Sequence, residues 1–267
     1  MPLIFQYDFM IRAFLAGIVV AVIAPLIGVF LVVRRYSLLA DTLSHVSLLG
    51  VAAGAVFRFN PMVGAIAVSV LAALGIDRLR EKRKMFGESV LALFLSGSLA
   101  LAIVLLGVSH NLNVNIFSYL FGSIATVSAG DVRLVAVLGV AVLAATILLF
   151  RKIFVVAYDE ELAKAGGLPV RALNTALMLL AGITVSLSIR VVGVLLVGAL
   201  MVIPVLTASQ FSKSFFKTTV HSIALSLIAV IAGLFASFYL DIPSGGTIVV
   251  IALLMFAASL VGKGSRE

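Results

Sequence analysis

Ser37-Leu38-Leu39-Ala40-Asp41-Thr42-Leu43-Ser44-His45 sets a carboxylate and an imidazole four residues apart inside a long apolar run. Ionisable side chains are costly in hydrocarbon, so one lying within a membrane-spanning segment marks a functional site by default. Asp and His one helical turn apart also supply the oxygen and nitrogen donors that suit a borderline divalent cation. What surrounds the stretch settles whether it lies in lipid.

The 267-residue chain is 63% hydrophobic and 11% charged, where a soluble domain carries roughly 25% charged residues. Apolar runs near or above the roughly 18 residues of a spanning helix recur from end to end, and no polar segment is long enough to fold apart from them. The runs are continuously apolar rather than alternating, so helices that satisfy their own backbone hydrogen bonds fit and a β-barrel does not. The reading is one all-α, polytopic membrane domain over residues 1–267 with spans at about 11–33, 36–57, 60–77, 88–108, 131–150, 172–189, 191–209, 218–239 and 245–262. That makes about nine transmembrane helices, within a range of eight to ten. The first run is too long, and is followed by too many others, for a cleaved signal peptide. Cysteine is absent, which excludes disulfides and thiolate chemistry.

Lys and Arg give the orientation. With nine spans and the N-terminus outside, fifteen of the nineteen fall on one side, from Arg34 and Arg35 to Lys263 and Arg266, while only Arg12, Arg58, Arg133 and Arg190 fall on the other. Cytoplasmic loops carry the excess, so the expectation is a multi-pass protein of the prokaryotic inner (cytoplasmic) membrane with a cytoplasmic C-terminus. The same asymmetry accounts for the net charge of +8 without invoking nucleic acid.

At 100 degrees per residue, Asp41 and His45 project about 40 degrees apart. Ser37, Ser44 and Ala52 fall on their side of the helix; Leu39, Leu43, Val46 and Gly50 cluster opposite. Residues four apart have Cβ atoms about 5 to 6 Å apart, so both side chains can reach one ion. A mutual hydrogen bond that merely satisfies two buried polar groups is the competing reading. The longest interior polar segment, Arg151 to Pro169, reads as a short cytoplasmic helix. Asp159, Glu160 and Glu161 suit its positive N-terminal end, Lys164 follows, and Gly166, Gly167 and Pro169 stop it. An ordinary solvated loop is the alternative there.

The stretch from Arg34 to Ala52 resembles the signature of the permease subunits of zinc and manganese ABC importers, the ABC-3 family. Phe117-Ser118-Tyr119-Leu120-Phe121-Gly122-Ser123 resembles that family's extracytoplasmic segment, Gly193 to Pro204 its late core helix, and Asp241-Ile242-Pro243-Ser244-Gly245-Gly246 its last outer turn. The four matches cover essentially the whole chain in order. The resemblance implies the ABC-3 type importer permease fold, with Asp41 and His45 as a metal site on the import path. It also implies a coupling helix at about 157–169, whose Asp159, Glu160, Glu161, Ala163 and Gly167 dock into a cleft of an ATPase; Glu161-Leu162-Ala163 departs from the double alanine of ABC permeases in general. The implied partners are ABC ATPase subunits, an extracytoplasmic metal-binding protein, a second copy of the chain in a homodimer, and membrane lipid.

The implied cargo is zinc first, with manganese or iron as alternatives, and no cofactor is held permanently. The chain is expected to be a transport subunit rather than an enzyme. Gly262-Lys263-Gly264-Ser265 lacks the first glycine of a phosphate loop and follows no strand, so ATP hydrolysis belongs to a separate chain. A proton-coupled secondary metal transporter would also use an intramembrane Asp and His, but would not need the docking helix. On the outer side, His110 and Asp241 are candidates to meet the arriving metal or its carrier, with solvated surface and chain turning as their bland roles. Arg190 is expected to snorkel to the outer interface, and His221 to sit at the cytoplasmic one.

Overall fold

The computed structural model describes residues 3–83, 87–108, 116–123 and 127–264. Among them there is helix and no strand. A 3-10 turn at Leu3–Gln6 leads into α1 (Asp8–Val33), α2 (Ser37–Val56), α3 (Pro61–Arg83), α4 (Gly87–Val108), α5 (Ile116–Phe121), α6 (Ala129–Tyr158), α7 (Glu160–Ala165), α8 (Val170–Val192), α9 (Val197–Ser209), α10 (Phe215–Leu240) and α11 (Ser244–Gly264). Eight of these are long and apolar enough to cross a membrane: α1, α2, α3, α4, α6, α8, α10 and α11.

α9 has 13 residues, about 20 Å at the helical rise, against a hydrocarbon core of about 30 Å. It nonetheless carries the chain from one end of the bundle to the other. α8 ends against the start of α11, where the Ser244 hydroxyl donates to the Val191 carbonyl at 3.4 Å. α11 follows directly on the C-terminus of α10, so α10 begins at the far end and α9 must reach it. The span expected at 191–209 therefore starts later, because α8 continues to Val192 and residues 193–196 form a non-helical turn.

Gly193 makes that turn possible. Its φ of +88° lies in the left-handed region, and a Cβ there would stand 2.6 Å from the Phe121 carbonyl carbon. The Val194 N–H donates to the Tyr119 carbonyl at 2.8 Å, which seats the short helix α5 on the α8–α9 turn. Just before the turn, Arg190 is enclosed rather than snorkelling. Its Nη2 lies 3.5 Å from Asp131 Oδ2, with the two side chains 15% and 5% exposed, and its guanidinium lies 4.6 Å from the centroid of the Tyr119 ring. The expected interfacial position fails because α5 and the start of α6 close over the end of α8.

α1 is buried along most of its length, and α2 is enclosed by α3, α4, α8 and α9. Hydroxyls tie this interior together across helices: Ser47 and Ser186 share a hydrogen bond of 2.9 Å, and Ser69 donates to the Gly182 carbonyl at 3.2 Å. Such bonds help hold helices together where packing gains no hydrophobic drive from lipid. α4, by contrast, turns Leu93, Leu101, Ile103 and Val104 outward, as a lipid-facing helix does.

Candidate functional site

α2 begins after an abrupt reversal of the chain. Arg35 takes a left-handed φ of 58°, and the Tyr36 N–H donates back to the Leu31 carbonyl at 2.8 Å, the 6→1 bond of a Schellman-type helix end. Seven residues past Arg34, Asp41 is partly exposed, and so is His45 one turn later; Thr42, Leu43 and Val46 around them are buried. The polar stripe is narrower than the helical projection implied. Ser44 is fully buried and turns back on its own helix, donating to the Asp41 carbonyl at 2.7 Å. Ala52 is buried as well, so beyond the partly exposed Ser37 at the start of the helix, Asp41 and His45 carry the polar character of this line.

No hydrogen bond joins the two side chains among the described residues. Nδ1 of His45 is buried without any partner, which runs against the reading of the pair as a mutually satisfied couple, since buried polar atoms are ordinarily bonded. The Asp41 carboxylate rests against Gly198 in the first turn of α9. A Cβ at Gly198 would overlap Asp41 Oδ1 and stand 2.7 Å from its Cγ, so any larger residue there would displace the carboxylate from this position. The N-terminal turn of a helix presents unpaired N–H groups and the positive end of its dipole, both favourable to an anion. Gly198 thus lies against the candidate pair, although the sequence marks it only as part of the Gly193 to Pro204 likeness.

Among the described residues no group of three His, Cys, Asp or Glu could hold a metal ion. Asp41 and His45 could therefore offer an ion at most two such side-chain donors from one chain. A tetrahedral zinc shell takes four ligands, so an ion held here would draw the others from water, backbone oxygens or another copy of the pair. A half-open, two-ligand position suits an ion that binds and leaves.

α7 lies at the Arg-rich end of the bundle. The expected helix at 157–169 divides in two: α6 runs through Tyr158, and a six-residue helix follows at Glu160–Ala165. Asp159 joins them, its Oδ1 accepting from the Leu162 N–H at 2.9 Å. Glu160 lies 3.3 Å from Arg34 and 3.1 Å from Lys164. Ala163 is buried against the bundle, 1% exposed, whereas Tyr158 and Leu162 are 78% and 63% exposed. Ala163 thus faces away from any partner meeting α7, and the outward surface includes Tyr158, Glu161, Leu162 and Lys164. Gly167 closes the segment with a φ of +75°.

At the opposite end Asp241 caps α10 in a left-handed conformation, φ 53°, where the Ser237 hydroxyl donates to the Ile242 carbonyl at 2.6 Å. It lines a cavity of about 540 Å³ with Phe9, Phe117 and Phe121. His110 lies outside the described residues. His221 forms a 2.7 Å hydrogen bond with the exposed Ser212 hydroxyl, in keeping with a surface role.

This arrangement has solved counterparts. The structure of PsaBC from Streptococcus pneumoniae in complex with Fab superposes with a TM-score of 0.86 at 29% identity, covering 96% of this chain and 92% of that one. The high-affinity zinc uptake system membrane protein ZnuB of Haemophilus influenzae is 28% identical over 96% of this chain and 98% of its own length. The manganese transport system membrane protein MntC of Listeria monocytogenes is also 28% identical, over 94% of this chain and 89% of its own. Residues 6–263 match the ABC 3 transport family as a whole. With its helical bundle and nearly its full length accounted for in this way, the chain belongs to the ABC 3 transport family.

Proposed function

We propose that this chain is the membrane permease of an ATP-driven importer of a divalent transition metal, with Asp41 and His45 as a transient ligand pair for the ion in transit. One observation carries the reading: two ionisable side chains stand one turn apart within an apolar bundle, unbonded to each other, with the His45 Nδ1 buried and unpartnered. The seat of Asp41 on Gly198 supports it, because a close-packed glycine holds the carboxylate in place. α7 is the helix that docks on the ATPase, through Glu161 and its exposed neighbours, while Asp159 and Gly167 shape its ends. The Arg-rich end is then cytoplasmic, and the opposite end, with Asp241, receives a metal-carrying binding protein. Two copies of the chain facing one path would bring together two Asp and two His, enough for a four-ligand shell.

Zinc is the favoured cargo, on the likeness of residues 35–45 to zinc-importer permeases. Manganese is the second reading, supported by a manganese-named relative at the same 28% identity as the zinc-named one. Asp41→Ala and His45→Ala are expected each to abolish metal uptake into a metal-starved strain lacking its own importer, while ATPase association and basal ATP hydrolysis persist. Normal uptake by both variants would remove the site. Side-by-side zinc and manganese uptake in proteoliposomes decides the cargo.

A further inference from the structure

Arg34 is the residue through which the fold connects α7 to the helix bearing the metal ligands. It closes α1 and stands three residues before the start of α2. Its side chain is 6% exposed, yet its guanidinium spans two other elements. Nη1 donates to Asn174 Oδ1 in the first turns of α8 at 2.6 Å, and Nη2 donates to Glu160 Oε2, the first residue of α7, at 3.3 Å. Asn174 and Glu160 lie 140 and 126 residues away in sequence. Tyr36, which caps α2, lies beneath both Arg34 and Arg80, with ring centroids 5.2 and 4.0 Å from the two guanidinium carbons.

A buried guanidinium is expensive to leave unpaired, and truncating one partner of such a pair strands the other charge. Of the two groups that Arg34 grips, Glu160 is the carboxylate. It sits at 43% exposure on the surface helix and is also held by Lys164. A displacement of α7 must therefore either break the Arg34–Glu160 pair or move Arg34 with it. The backbone at Arg34 is tied to the end of α1 by bonds from Arg34, Arg35 and Tyr36 to Phe30, Val32 and Leu31, and to α2 by the Leu39 N–H donating to the Tyr36 carbonyl at 2.9 Å, so a pull on Arg34 bears on the start of α2. What moves is the start of α2, and Asp41 lies only five residues beyond Tyr36, pressed against Gly198 of α9. A shift of α2 against α9 changes the surroundings of the carboxylate directly.

We propose that Arg34 is the positioning residue that transmits displacement of α7 to α2, so that events on the docked ATPase alter the Asp41–His45 pair; this rests on the reading of α7 as the docking helix. The planar fork of arginine suits the task, since it holds two acceptors at fixed angles where lysine would offer a single point charge.

The test uses the assembled transporter, with this chain, its ATPase and its binding protein in proteoliposomes, and counts zinc ions taken up per ATP hydrolysed. Arg34→Gln is expected to keep ATPase co-purification and ATP hydrolysis while zinc per ATP falls roughly fivefold or more, the scale of ordinary coupling energies; Glu160→Gln, compared at equal bound ATPase, is expected to show the same fall in zinc per ATP. Arg34→Lys is expected to fall between wild type and Arg34→Gln. Glu160 is surface-exposed, so its variant remains informative if removal of Arg34 impairs folding. Unchanged zinc per ATP in Glu160→Gln overturns the proposal, as does a loss of uptake that merely follows loss of bound ATPase. The docking reading fails separately: if Glu161→Lys and Leu162→Ala retain full ATPase association, α7 is not the docking helix.

Discussion

At the scale of single residues, the site depends on a side chain that is missing. Gly198 touches the Asp41 carboxylate so closely that any Cβ there must push it away. Gly198→Ala is therefore expected to weaken metal binding roughly ten- to hundredfold, the usual cost of disturbing what orients a ligand, with the variant still reaching the membrane and binding its ATPase. Isothermal titration of the purified chain with zinc checks this, and affinity equal to wild type would show that the carboxylate has room elsewhere. Asp41 and His45 stood out as candidate ligands from their spacing and their setting in apolar sequence. Gly198 was not, because its importance arises only where α9 crosses α2. Ser44 shows the same limit in reverse. Its position on the helical projection put it beside the ligands, but a serine in a helix can satisfy its hydroxyl on its own backbone, and here it does.

At the scale of elements, α7 separates into an inward and an outward surface. Asp159 caps it, Glu160 is tied to Arg34 and Ala163 is buried, while Glu161, Leu162 and Lys164 face out with Tyr158. Glu161→Lys is expected to cost more than about 1 kcal/mol of ATPase affinity, as loss of a central interface contact does. The thermal stability of the isolated chain should stay as it was, since an exposed side chain contributes little to folding. Pull-down titration and thermal denaturation in detergent give the two numbers. Loss of stability in step with affinity would mean that Glu161 supports the fold instead. α5 was legible only as a likeness in Phe117–Ser123; at six residues it has too few turns for periodicity to reveal it.

At the scale of the whole molecule, the eight long helices and the shorter α9 make nine passages among the described residues, which therefore start and finish at opposite ends of the bundle. A reporter active only in the cytoplasm should work when fused after residue 267 and fail when fused before residue 1; the opposite result would invert the molecule. The apolar runs by themselves determined the fold class, since in lipid only a helix satisfies its backbone within one segment. The Lys and Arg asymmetry determined the expected orientation, and the Asp41–His45 spacing the expected chemistry, because each depends on charge and on neighbours along one helix. Tertiary structure alone decided that Asp41 rests on Gly198, that Arg190 pairs with Asp131, that Ala163 turns inward and that Arg34 reaches Glu160 and Asn174. Most of these are meetings of residues far apart in the chain, and helical periodicity records which face a residue occupies but not what another helix brings to it.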